Sequence, residues 1–264
     1  MTWLRQCRAV VRRDFLTDIR YPISFAFGFF DAVIALISYS FLAGVFGSSR
    51  PDGFEPLPFL LIGIALTDSV TTTLVTMALG VRNSQQAGTM KALLALPLAP
   101  ARLMILSMAY PLMRGTFDFV VFSIAAFALG VGLTHANLPA VVLVFLLALV
   151  SALVIGLGSA SFALVFKRGD PVLWAIGTAT WLLSGVIYPT SVLSPWLRGL
   201  SRLLPTTHAL AALRVAVIDG GAWAAIGPDV WALLAFHVIG IPLGLWLFTT
   251  AVTQARRSGT LGHL

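Results

Sequence analysis

Nucleotide chemistry needs a lysine that follows a glycine in a phosphate-cradling loop, and neither lysine of this chain does: Lys91 follows Met90 and Lys167 follows Phe166. No Walker-type site is present, so ATP is not expected to bind here, and no cofactor is expected on this chain. The four histidines, His135, His208, His237 and His263, are far apart, and no Cys/His cluster has metal-ligand spacing. Ser, His and Asp residues are dispersed without a catalytic arrangement, so the chain does not read as an enzyme. What stands out is charge inside apolar runs: Asp31, Asp68, Arg114 and Asp118. Such groups are costly in hydrocarbon and are candidates for a substrate path. Arg114 and Asp118 are four residues apart on one helical face and can neutralise each other, which favours a structural pair. Asp31 and Asp68 have no partner on their own helices; they would line a polar path, carry protons, or be satisfied by a neighbouring span. His237 reads as a packed, hydrogen-bonded histidine.

The elements that position these residues are membrane spans. Of the 264 residues 58% are hydrophobic and 10% charged, with a mean hydropathy of +0.94, more apolar surface than a soluble domain of this length can bury. The single cysteine, Cys7, excludes an intrachain disulfide. The expected fold is an all-α integral membrane domain over 1–264 with six spans: Ile23–Phe46, Leu57–Val81, Leu103–Val131 with Pro111 inside it, Ala140–Phe166, the short Val172–Tyr188, and Val230–Val252. The arginines before the first run resemble the start of a signal peptide, but the run is too long and no small-x-small cleavage site follows, so that span is expected to be retained. Gly240 and Gly244 in the last span have the spacing that lets helices approach closely, with Pro242 between them as a kink; the pair serves packing or a rigid-body pivot.

Three hydrophilic parts complete the layout. Residues 1–22 put Leu4, Cys7, Val11, Phe15 and Ile19 on one helical side and Arg5, Arg8 and Arg12 on another, as in a helix lying at a membrane surface. In 83–102, the stretch QQAGTMKALLALPLAPAR from Gln85 to Arg102 reads as a short helix capped by Thr89 after Gly88 and stopped by Pro97 and Pro100. Its apolar face, Met90, Leu93, Leu94 and Pro97, needs a cover, and Lys91 lies off it. In 189–227, Ser194-Pro195 starts a helix that Pro205 ends, with Trp196, Leu197, Leu200, Leu203 and Leu204 opposite Arg198 and Arg202. Thr206 or Thr207 caps a second helix carrying Leu210, Leu213, Arg214 and Val217. These two helices are either partly re-entrant or rest on the outer surface.

Twelve of the 17 lysines and arginines fall on the side of the N-terminus in this layout and four, Arg50, Arg198, Arg202 and Arg214, on the other. The positive-inside rule then places both termini and residues 83–102 in the cytoplasm.

The chain resembles the permease subunits of type-2 ABC exporters. The basic N-terminus looks like that family's interface helix, and Gly88-Thr89 through Leu93-Leu94 to Pro97 looks like its coupling region. The segment GVIYPTSVLSPWLRGLSRLLPTTH from Gly185 to His208, continuing to Leu213-Arg214, is similar to the external segment before the family's last span. One departure is that relatives often carry an acidic residue after the Gly-Thr pair, where this chain has Met90-Lys91. The resemblance implies a bacterial cytoplasmic (inner) membrane protein working as a homodimer with cytoplasmic ABC ATPase subunits that hold ATP and magnesium. It implies export of an amphipathic substrate such as a drug, a lipid or a lipid-linked glycan. Gly88, Thr89, Met90, Lys91, Leu93, Leu94 and Pro97, with Arg5, Arg8 and Arg12, would couple to the ATPase; Tyr188, Pro189, Trp196, Pro205, His208 and Arg214 would form the external gate. The readings from other classes are a secondary transporter or channel driven through Asp31, Asp68 or Asp118, for which no inverted repeat is visible, and a membrane scaffold or immunity protein that binds without transporting.

Overall fold

The computed structural model describes residues 3–19, 34–35, 37–38, 40–42, 44–45, 56–86, 100–132, 136–166 and 171–257, and among them there is no strand. The helices are α1 (Trp3–Ile19), α2 (Pro56–Gln86), α3 (Pro100–Ser107), α4 (Ala109–Ala128), α5 (Leu138–Phe166), α6 (Pro171–Leu183), α7 (Pro195–Ser201), α8 (Pro205–Ile218) and α9 (Trp223–Arg257), with a 3₁₀ turn at Thr190–Val192. Among the described residues four stretches are long and apolar enough to cross a membrane: Pro56–Ser84, Arg102–Ala128, Leu138–Phe166 and Trp223–Ala255. They correspond to the second, third, fourth and sixth expected spans. Most of the first expected span lies outside the described residues. Its described part is helical, with Ile34, Ile37, Phe41 and Val45 exposed on one side and Leu42 packed on the core.

The core is built around α5. This helix has no charged residue and is apolar all round, the pattern of a helix enclosed by others. Its small residues let neighbours close in, which is what drives helix packing where lipid is as apolar as leucine. The Gly240 and Gly244 positions of α9 lie against it: a Cβ at Gly240 would come within 2.7 Å of Val154 Cγ1, and one at Gly244 within 3.1 Å of Leu157 Cδ2. The packing reading of that glycine pair therefore has a direct cause. On its other side α5 meets α2, where Met77 stands 3.1 Å from a Cβ placed at Gly156. Asn137 starts α5 in two ways, its Oδ1 accepting from Ala140 N–H at 3.3 Å and its Nδ2 donating to Gly221 O at 3.3 Å, which pins the beginning of α5 to the turn between α8 and α9.

Several boundaries differ from expectation. The third span divides at Met108, because Pro111 has no N–H for the Ser107 carbonyl and its ring crowds that carbonyl. Bonds from Met108 N–H to Met104 O and from Leu112 N–H to Met108 O keep the two halves in register. Pro100 opens α3; the short helix it was expected to stop lies outside the described residues. The second span continues past Val81 to Gln86. The fifth, expected to reach Tyr188, ends at Leu183: Gly185 adopts φ 78°, a left-handed conformation that terminates the helix. Its 13 residues extend about 20 Å at 1.5 Å each, short of the roughly 30 Å of hydrocarbon. The last helix begins at Trp223, and so takes in the end of the 189–227 segment.

Candidate functional site

The expected coupling residues Gly88, Thr89, Met90, Lys91, Leu93, Leu94 and Pro97 lie outside the described residues, as does Asp31. Their frame is nevertheless in view. Residues 87–99 leave the chain at the end of α2 and rejoin it at the start of α3, and α1 packs beside α3 and α4. Arg102 Nη2 donates to Gln6 Oε1 at 3.2 Å, which ties α1 to the first turn of α3. Arg5, Arg8 and Arg12, on one side of α1 and joined there by Arg13, are exposed, while Cys7 and Val11 are half-buried. Phe15, in the same apolar row, is exposed, so the packed side of α1 takes in Gln6, Cys7 and Val11 and does not follow that row as far as Phe15.

Within the spans, Arg114 Nε stands 3.5 Å from Asp118 Oδ1, with side chains 19% and 15% exposed. The pair neutralises itself on one face of α4, as the spacing predicts. Asp68 is half-buried on α2. His237 is buried, with Nε2 3.0 Å from Ser151 Oγ on α5, so it is a packed, hydrogen-bonded histidine.

At the other end of α2, Arg214 of the expected gate meets the segment where α6 ends. Its Nη1 donates to Gly185 O at 2.8 Å, and its Nη2 to Val186 O at 2.9 Å and to Phe59 O at 3.1 Å. The guanidinium also lies 3.4 Å from the centre of the Phe59 ring, a cation–π contact. One side chain on α8 thus satisfies carbonyls freed where α6 ends and joins them to the beginning of α2. Burial lowers the Arg214 pKa to about 9, which still leaves it charged at neutral pH. Gly63 makes room for this contact: a Cβ there would stand 2.7 Å from both Arg214 Nη2 and Val186 O.

Of the other expected gate residues, Tyr188 and Pro189 follow the end of α6, and Pro205 and His208 lie in the first turn of α8. Tyr188 donates its hydroxyl hydrogen to Leu182 O, capping the end of α6, and Pro189 precedes the 3₁₀ turn. Arg198 donates to the Leu193 and Ser191 carbonyls, and Ser201 Oγ donates to Leu183 O at 2.7 Å, which seats α7 on the end of α6. His208 Nδ1 lies 2.7 Å from Asp229 Oδ1 on α9, and its Nε2 lies 2.9 Å from Arg202 O. Trp196 stands apart, 68% exposed.

Local details of this segment overturn several expectations. Ser194 makes no side-chain cap, and Thr206 and Thr207 do not cap α8. Pro205 occupies the first turn of α8 with Leu204 at the N-cap, because a proline needs no hydrogen-bond acceptor there. The five-residue apolar face expected on α7 divides: Trp196, Leu200 and Leu203 are exposed, while Leu197 and Leu204 are half-buried. The helix α8 does not rest on a surface. Ala209, Leu210, Ala212, Leu213, Ala216 and Val217 are buried, and it packs against α2, α5 and α9.

Phe59, Gly63, Ser201 and Asp229 were not anticipated. The one sequence signal was Asp229 beside Pro228 at the head of an apolar run, where an acid suits a helix N-terminus as well as a cationic partner.

No curated protein matches the chain. The ABC-2 type transporter family model matches residues 5–218, from α1 through α8. The junction around Arg214 and the basic helix beside α3 both fall inside that match, and the chain belongs to the ABC-2 type transporter family, as a membrane-embedded permease subunit of a type-2 ABC transporter.

Proposed function

We propose that this permease is half of the membrane part of an ATP-driven exporter. It would move an amphipathic molecule, a drug, a lipid or a lipid-linked glycan, out of the cytoplasm or inner leaflet of a bacterial cytoplasmic membrane. Two copies would pair, and ATP would be hydrolysed on separate cytoplasmic ABC subunits. Both termini, α1 and residues 87–99 face those subunits, and the α6–α8 junction faces outside.

The observation that carries this reading is the placement of the two candidate regions on one helix. Phe59, which receives Arg214, is near the start of α2, and Gln86, from which the coupling stretch departs, is its last residue. They are about 40 Å apart along the axis at 1.5 Å per residue. A push on 87–99 would therefore be delivered through a stiff rod to the junction that holds α6, α7 and α8, and the opposite end would shift as a rigid body. The exposed Arg5, Arg8 and Arg12 beside that stretch suit contact with an ATPase surface or lipid headgroups.

Leu94→Asp places a carboxylate in the apolar face expected to be covered by the ATPase. With the candidate ATPase co-expressed and the complex reconstituted at matched expression, permease-dependent ATP hydrolysis and export are both expected to fall at least about tenfold, the effect of roughly 1.4 kcal/mol on a coupling equilibrium. Retention of both activities would remove the coupling assignment. A gradient-driven mechanism through the intramembrane acids has less support, since Asp118 is already committed to Arg114.

A further inference from the structure

The ring of His208 faces two acceptors at once. Nδ1 is 2.7 Å from the Asp229 carboxylate and Nε2 is 2.9 Å from the Arg202 carbonyl. A neutral imidazole has one N–H and can satisfy only one of them; the other nitrogen would then point a lone pair at an oxygen. The imidazolium donates to both. These contacts join three elements: Arg202 closes α7, His208 is in the first turn of α8, and Asp229 follows Pro228 near the head of α9.

We propose that His208 is a proton-operated latch, holding the turn between α7 and α8 against the last membrane helix when doubly protonated and releasing it when neutral. The elements packed on α8 leave little else to set its charge. The helices α5 and α6 carry no charged residue, α2 carries Asp68 and Arg82, and α9 carries Asp229 beside His208, with His237 held by Ser151 and Arg256 and Arg257 at its far end. The Asp229 hydrogen bond raises the His208 pKa most; burial works against it, the Arg202 carbonyl adds to it, and the Arg202 cation subtracts. The sign follows from the raised value. The latch contributes fully below the ordinary histidine value of 6.5 and is lost as pH rises through the higher folded value. The latch therefore weakens as the medium turns alkaline, and parting α8 from α9 becomes easier.

Which compartment's pH the latch senses rests on the orientation proposed above, but its existence does not, and in detergent micelles both ends of the protein meet the same buffer. The full chain carrying Cys7→Ser and Leu203→Cys, the latter at an exposed position, takes a nitroxide spin label on the turn itself. Electron paramagnetic resonance from about pH 5.5 to about pH 9 should show an immobile label giving way to a mobile one, with a midpoint above the unperturbed histidine value. Asp229→Asn keeps size and an acceptor oxygen but removes the charge, and is expected to lower that midpoint by about one unit, a tenfold change in protonation equilibrium. His208→Gln should abolish the transition. A parent signal that is flat with pH, a midpoint unmoved by Asp229→Asn, or a transition that survives His208→Gln would each overturn the latch. Should His208→Gln fail to elute as a monodisperse species, the Asp229→Asn midpoint decides alone.

Discussion

Arg214 carries a guanidinium into a largely buried position where three backbone carbonyls from two distant parts of the chain meet it. Its planar fork can reach Gly185, Val186 and Phe59 together while stacking on the Phe59 ring; a lysine offers one point of charge and no plane. Arg214→Lys is therefore expected to lose about 1–2 kcal/mol of stability and Arg214→Met about 3 kcal/mol, the second because it removes the guanidinium donor from the Gly185 and Val186 carbonyls and unties them from α2. Thermal unfolding in detergent reads both, and a lysine variant as stable as the parent would show that charge alone suffices. The family resemblance singled this residue out as part of an external gate, without its contacts. Its partners were not visible in the sequence, because they are main-chain oxygens exposed by the ending of α6, and nothing about Phe59, 155 positions away, announces a carbonyl.

At the level of helices, apolar periodicity located the second, third, fourth and sixth spans, because their length and hydropathy are properties of the local chain. Their ends were less legible. Pro205 and Pro100 look alike as stop signals and start signals, and which role wins depends on whether the following residues find a partner, as α8 does in α2, α5 and α9. The early end of α6 depends on the backbone angle of one glycine, Gly185. Close approach between helices was likewise hidden: Gly115 on α4 would place a Cβ 2.0 Å from Thr73 Oγ1 and 2.8 Å from Ser69 O on α2. Since one of those atoms is backbone, Gly115→Ala must push α2 and α4 apart, at about 1–3 kcal/mol. Gly158→Ala on α5, where a Cβ meets nothing within 4 Å, is the control and should stay within about 0.5 kcal/mol of the parent. Equal melting temperatures for the two variants would mean that the α2–α4 contact is looser than its geometry.

For the whole molecule the open question is which way α2 points, since the exporter reading needs its Gln86 end inside and its Phe59 end outside. Charge argues for this arrangement: lysine and arginine are retained on the side of the membrane where they are synthesised, and the six-span layout would put twelve of 17 on the side of Arg5 and Arg102. Cys7 on α1 and an introduced cysteine at Leu203 in the turn after α7 report the two ends independently. In intact cells a membrane-impermeant maleimide should label Leu203→Cys in a Cys7→Ser background and leave the native Cys7 untouched; after permeabilisation Cys7 should label as well. The half-buried setting of Cys7 slows its reaction but does not make it dependent on permeabilisation. The reversed pattern would put α1 outside, where no ATPase could reach it, and would end the exporter proposal, while the Arg214 junction and the His208 latch would stand on their own geometry.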